Sequence, residues 1–257
     1  MADNVMLGEV KTWYDEAGTG EPLVLLHPGG AGVDARALRA NAGPLAQHFR
    51  VYTPERRAHG RTPDVPGPVT YEAMAHDTIA FIETVLGGPA HLAGVSDGAV
   101  VALYVALARP DLVSRLVLIA GVFHFDGWHS GVLDSATGPP AFLERLYSEL
   151  SPDGPEHYPV VVEKLATMHA TGPTLTTDDL AGVRSRTLVM VADDDEVRLE
   201  HAAAAYGAIP DAELMVVPGT SHGLLVEKPE LCNQVIIEFL ANEPVPLMAP
   251  IRRAAAS

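Results

Sequence analysis

The stretch Gly94-Val95-Ser96-Asp97-Gly98 constrains this chain more than any other. His91-Leu92-Ala93 before it reads as the end of a buried strand, and residues 99–108 after it as a buried helix. A serine at the corner between the two, with a glycine two residues to either side, has the form of a nucleophile elbow. Such a turn is tight enough to strain the serine backbone, and a side chain at either flanking position would strike a neighbouring element. In return the hydroxyl stands clear of the sheet edge. The Asp97 N–H opens a helix, where it can face a developing negative charge.

The rest of the chain gives that corner its setting. Residues 5–16 alternate loosely and then meet Gly18-Thr19-Gly20, which predicts one or two edge strands and a turn. Pro22-Leu23-Val24-Leu25-Leu26-His27 is the short unbroken apolar run of a strand buried on both faces. Further strands are predicted at 49–53, 113–120, 186–192 and 213–217. Helices are predicted at 35–45 behind Asp34, from Thr70 to Gly87-Gly88-Pro89, at 196–207 and at 229–240. Strand and helix in alternation imply an α/β fold: a mostly parallel sheet of about eight strands, helices on both faces, right-handed crossovers.

Between 122 and 183 the strand-like runs stop. Short helical pieces near 141–150, 158–168 and 177–183 take their place, separated by prolines and glycines and rich in aromatic and large apolar residues. This predicts a core of 1–122 and 184–257 with a small helical lid inserted at 123–183. Most of the lid's apolar residues must pack on the core; Trp128, Phe142 and Met168, with Gly30, are the residues expected to line a substrate pocket. The tail, 244–257, is expected to be an extended strap or frayed.

Bulk properties narrow the partners. The formal net charge is −16, which opposes nucleic acid, anionic membrane surfaces and strongly anionic substrates. A small neutral molecule is the expected partner. The single cysteine, Cys232, allows no intrachain disulfide and sits in a helical pattern as a packing residue. Met1-Ala2-Asp3-Asn4 is not the basic start of a secretory signal, and the longest apolar stretch is too short to span a bilayer. A cytoplasmic location is the expectation. The sequence specifies no oligomeric state.

A nucleophilic serine needs a base, and the base needs an orienting carboxylate. Loops after the C-termini of parallel strands converge on one sheet edge. One such loop is Asp193-Asp194-Asp195-Glu196, and the next is Pro218-Gly219-Thr220-Ser221-His222-Gly223. Of eleven histidines, His222 is the one in such a loop after the last strand. Of the aspartates, Asp195 lies furthest along its loop, Asp193 and Asp194 are expected to turn outward or cap a helix, and Asp126 after the strand at 113–120 is the alternative. The glycines of Pro28-Gly29-Gly30-Ala31-Gly32 can bring N–H groups close to a bound oxygen. The polar loop 55–62 reads as structural rather than substrate-binding.

Taken together, His27-Pro28-Gly29-Gly30, Arg57-Ala58-His59-Gly60-Arg61-Thr62, the Gly94–Gly98 turn, Ala192-Asp193-Asp194-Asp195 and Gly219-Thr220-Ser221-His222 resemble the α/β-hydrolase superfamily over nearly the whole chain. The resemblance implies Ser96 as nucleophile, His222 as base, and Asp195 as acid at the fourth position of a G-x-x-D pattern whose glycine is here Ala192. It implies an oxyanion hole of the Asp97 N–H and one from the His-Pro-Gly-Gly loop. Pro28 replaces the usual glycine there and has no N–H, which leaves Gly29 first and Gly30 second. Ala58 also stands where glycine is usual. Ser96, rather than an aspartate, sets epoxide and halide chemistry aside. The expectation is a serine hydrolase of carboxylic esters or lactones that needs no metal or organic cofactor. C–C bond hydrolysis, thioester cleavage and cofactor-free perhydrolysis use the same triad, and a ligand-binding protein with a slow triad is the non-enzymatic alternative.

Overall fold

A computed structural model of the chain describes residues 1–133, 139–244, 248 and 249. Eight strands form one sheet: β1 (Asp3–Leu7), β2 (Val10–Ala17), β3 (Pro22–Leu26), β4 (Arg50–Pro54), β5 (Ala90–Val95), β6 (Val113–Ile119), β7 (Arg186–Ala192) and β8 (Ala212–Val217). Their order is β1-β2-β4-β3-β5-β6-β7-β8. β1 with β2 and β2 with β4 run antiparallel; every other pairing is parallel. The expected tail at 244–257 lies almost wholly outside the described residues. Among those described, no helix is long and apolar enough to cross a membrane.

The unbroken apolar runs follow from having two buried faces. Along β3, Leu23 and Leu25 enter one apolar cluster and Val24 and Leu26 the other. Side chains alternate between faces along a strand, so a strand covered on both sides must be apolar at every position. α1 (Arg39–Leu45) and α9 (Pro229–Ala241) cover the first face, α2 (Tyr71–Phe81) and α3 (Asp97–Ala108) the second. β8 lies at the sheet edge: its ends, Ala212 and Val217, are buried, and between them partly buried Glu213 and Met215 alternate with exposed Leu214 and Val216.

Between β6 and β7 lie α4 (Ala141–Leu150), α5 (Tyr158–Thr171) and α6 (Thr177–Leu180). Several helix limits differ from expectation for local reasons. The helix expected at 35–45 is a 3-10 turn at Ala35–Leu38, capped by Asp34, followed by α1. α2 runs on into a single π turn at Ile82–Leu86, stopped by Gly87 at φ 72°. The helix expected from 196 begins only at Leu199, as α7 (Leu199–Ala208). Residues 196–198 are drawn out to meet the insert: His129 N–H donates to Glu196 O at 2.9 Å, Arg198 N–H donates to Gly127 O at 2.9 Å, and Trp128 pairs with Val197. Tertiary hydrogen bonds thus override local helix propensity there.

One element escapes the sequence reading altogether. α8 (Leu224–Glu227) follows His222 and is too short to show a period. It is held by a buried amide pair: Asn41 Nδ2 donates to Asn233 Oδ1 at 2.9 Å and to Leu225 O at 3.2 Å, while Asn233 Nδ2 donates to Ala40 O at 3.2 Å. Asn233→Ala strands a buried donor on Asn41, and is expected to cost about 1–3 kcal/mol in thermal or urea unfolding.

Candidate active site

β5 delivers Ser96 to the C-terminal edge of the sheet. Its backbone lies at φ 54° and ψ −121°, a conformation that side-chain-bearing residues rarely adopt. The two glycines are forced. A Cβ on Gly94 would lie 2.1 Å from Gly98 O, and one on Gly98 would lie 2.5 Å from Leu26 O. The strained serine is held by its own N–H, which donates to Ile119 O at 2.8 Å.

The loops after β7 and β8 meet this serine. His222 Nε2 lies 3.1 Å from Ser96 Oγ, and His222 Nδ1 lies 2.7 Å from Asp195 Oδ1. Asp195 is buried and further fixed by two backbone N–H groups, Ala192 at 2.9 Å and Val197 at 3.1 Å. Burial alone would raise its pKa, but the hydrogen bonds from His222, Ala192 and Val197 together hold it below the usual carboxylate value. Burial likewise pushes the imidazole down, and Asp195 outweighs it, so the His222 pKa is raised. Trp128 stands edge-on to the His222 ring, centroids 5.7 Å apart.

Asp193, the first aspartate of the acid loop, has other work, and Asp194 is exposed. Asp193 accepts from Thr220 N–H at 3.1 Å and so ties the acid loop to the histidine loop. Asp126, the alternative acid, is exposed and stands beside His124.

The second loop supplies the remaining geometry. Pro28 O accepts from Arg56 Nη2 at 2.8 Å and lies 2.7 Å from His27 Nδ1. A trans peptide points its C=O and N–H in opposite directions. With the Pro28 carbonyl drawn toward Arg56, the Gly29 N–H is turned away from that buried side. A Cβ on Gly29 would lie 1.7 Å from Asp97 Oδ2, so this loop and the start of α3 touch. Arg56 is buried, and burial lowers its pKa to about 10. The surrounding loop is structural. Arg61 pairs with the buried Glu55 at 2.6 Å, Arg57 pairs with Asp77 at 2.7 Å, and Ala58 takes φ 63° where the resemblance expects glycine.

The sequence profile of the α/β hydrolase family matches residues 23–235. The chain belongs to that family. It is similar to (E)-2-((N-methylformamido)methylene)succinate hydrolase of Acinetobacter baylyi, with 26% identity over 260 residues covering 90% of this chain and 94% of the relative. It is also similar to 2-hydroxy-6-oxo-6-(2'-aminophenyl)hexa-2,4-dienoic acid hydrolase of Metapseudomonas resinovorans, at 25% identity over 98% of this chain and 93% of that one. Among solved structures, a thermophilic esterase from Thermogutta terrifontis superimposes with a TM-score of 0.71 at 25% identity, covering 93% of this chain and 98% of the esterase.

In this hydrolase the expected pocket residues fall in different places. Trp128 is beside His222 as described. Gly30 takes φ 105° and its carbonyl accepts from Val33 N–H at 2.9 Å, closing the turn after Gly29. Phe142 is 50% exposed on α4. Met168 is 3% exposed and belongs to the apolar cluster of the α2–α3 face. The sequence expected Met168 to line a pocket, and the structure packs it in the core. A separate apolar cavity of about 180 Å³ touches His222 and is lined by Pro28, Leu38, Val95, Leu225 and Val226 among others.

Three side chains near the serine were not singled out by the sequence reading. The Asp97 carboxylate, buried one residue from Ser96, accepts from Tyr71 OH at 2.7 Å and from His169 Nε2 at 2.8 Å. Arg56 stands behind them and acts on Asp97 through its charge. Burial alone would raise the Asp97 carboxyl, but His169, Arg56 and Tyr71 hold it well below its usual range.

Proposed function

We propose that this chain is a serine hydrolase that cleaves a carboxylic ester or lactone of a small to medium, neutral, hydrophobic substrate. The observation that carries the reading is the unbroken chain of short contacts from Ser96 Oγ through His222 to the buried Asp195, standing on a strained corner. In this mechanism His222 Nε2 takes the Ser96 proton as Oγ attacks the carbonyl carbon. The N–H groups of Asp97 and Gly29 hold the resulting oxyanion. The tetrahedral intermediate collapses, the carbon–oxygen bond to the alcohol breaks, and His222 returns the proton to the departing oxygen. Water, deprotonated by the same imidazole, then cleaves the acyl-enzyme.

Neutral and apolar substrates are favoured by two features. The cavity against His222 is lined by apolar side chains, and at about 180 Å³ it is comparable with the ~150 Å³ cavities that take a benzene ring. The net charge of −16 opposes anions. Both named relatives act on carboxylic acids, so a panel pairing neutral esters with their carboxylate-bearing analogues is the direct test. Preference for neutral esters with an apolar group no larger than about a phenyl ring supports the reading. Preference for the carboxylates contradicts it.

The pH dependence has a definite sign. Asp195 favours the protonated imidazole, so that contribution to stability is full below the ordinary histidine value and fades as pH rises through the raised one. The neutral base needed for attack appears over that same window. Turnover should therefore rise with pH along a limb displaced above about 6.5. In Asp195→Asn, measured on the same ester, that limb should move down.

A further inference from the structure

Among the described residues, the insert reaches the catalytic corner through the polar contact of His169 on α5 with Asp97 on α3, residues 72 positions apart in the chain. Asp97 carries two things at once. Its N–H faces the reacting oxygen in the mechanism above, and its carboxylate is buried against Gly29, the other donor's residue. A negative charge beside a forming oxyanion opposes it unless that charge is itself held by a counter-ion. We propose that His169 is a positioning residue that, as the imidazolium, docks the insert on the corner and neutralises the Asp97 carboxylate next to the oxyanion site. The inference rests on Ser96 being the nucleophile.

The surroundings of His169 set what its proton can do. Asp97 from α3 favours the charged ring. Arg56, from the loop after β4, opposes it and also shares Asp97. His59, from the same loop, is buried and held neutral, its pKa lowered to about 4. Tyr71 of α2 acts through its hydrogen bond to the other Asp97 oxygen. α4 brings Glu144, Arg145 and Glu149, and the turn at 125–127 brings Asp126; none of these pairs with His169 among the described residues. Burial lowers the His169 pKa and Asp97 outweighs it, so the ring keeps its proton above the ordinary histidine value. When the proton leaves, the neutral ring can still donate Nε2–H to Asp97, so docking persists while the His169 share of the compensating charge is lost and only that of Arg56 remains.

Two histidines with opposite requirements give a bell-shaped profile. His222 must be neutral to accept the serine proton, and His169 must be charged. The test is the rate of Ser96 labelling by a fluorophosphonate, from roughly pH 5 to pH 10, in wild type, His169→Gln, Asp97→Asn and the double variant. Wild type should rise at acid pH and then fall by about tenfold on the alkaline side. His169→Gln should keep the first limb, lose the alkaline fall, and label about tenfold more slowly at the wild-type optimum. The double variant should recover most of that loss, because no carboxylate charge remains to be neutralised. Asp97→Asn, which keeps the side-chain shape, should lose the alkaline fall even where His169→Gln folds poorly. An alkaline fall that survives in His169→Gln or Asp97→Asn, or a wild-type plateau with no fall, overturns the role of His169 while leaving the nucleophile standing. No labelling of wild type at any pH overturns the nucleophile and this inference with it.

Discussion

Ser96→Ala and His222→Ala should each lower ester turnover by a factor on the order of 10⁶, and the double variant should be scarcely slower than either. The reason is geometric. Ser96 Oγ is 3.1 Å from His222 Nε2, the base positioned to take its proton, and that base is held at 2.7 Å by Asp195. With the serine gone there is no nucleophile to activate; with the histidine gone the hydroxyl keeps its proton at neutral pH. Asp195→Asn should cost about 10⁴, since an amide can support the imidazole only in the wrong tautomer. The oxyanion donors are backbone groups and survive all three changes, so a residual rate above water should remain. Strictly additive losses in the double variant would mean that the serine and the histidine do not act in one step.

Gly94→Ala should be strongly destabilising for a single added methyl. The new Cβ would sit 2.1 Å from Gly98 O, 2.3 Å from Gly98 C and 2.6 Å from Ala99 N, all backbone atoms of the turn itself. A flexible side chain could yield; this backbone can yield only by opening the corner that presents Ser96. A loss of at least ~3 kcal/mol is expected, or roughly 6–12 °C in melting temperature for a chain of this size. Gly207→Ala is the control. It lies in α7 with nothing within 4 Å of the added carbon. There alanine should stabilise by up to about 1 kcal/mol. Equal effects at both positions would show that the elbow has room it is not supposed to have.

These two predictions mark how much was legible in the chain. The central strands were readable because burial on two faces leaves an unbroken apolar run, as in Leu23-Val24-Leu25-Leu26. Ser96, Asp195 and His222 were readable together because parallel strands send their C-terminal loops to one edge. What could not be read rests on contacts without local pattern. Asp97, Tyr71 and His169 come from three separate helices, and no spacing relates them. Met168 was misplaced because an apolar residue on a helix looks the same whether it faces a cleft or a core; burial against the α2–α3 face decides it. The start of α7 was misplaced because residues 196–198 bond to the insert instead of to their own helix.

The central claim is that Ser96 is an activated nucleophile, and one measurement addresses it most directly. Wild-type protein is treated with a fluorophosphonate and digested, and the adduct is located by peptide mass. A single adduct on Ser96, absent from Ser96→Ala and slowed at least a thousandfold or so in His222→Ala, is the predicted result. Folded wild-type protein that takes up no label, or takes it elsewhere at the same rate in all three proteins, would contradict the account.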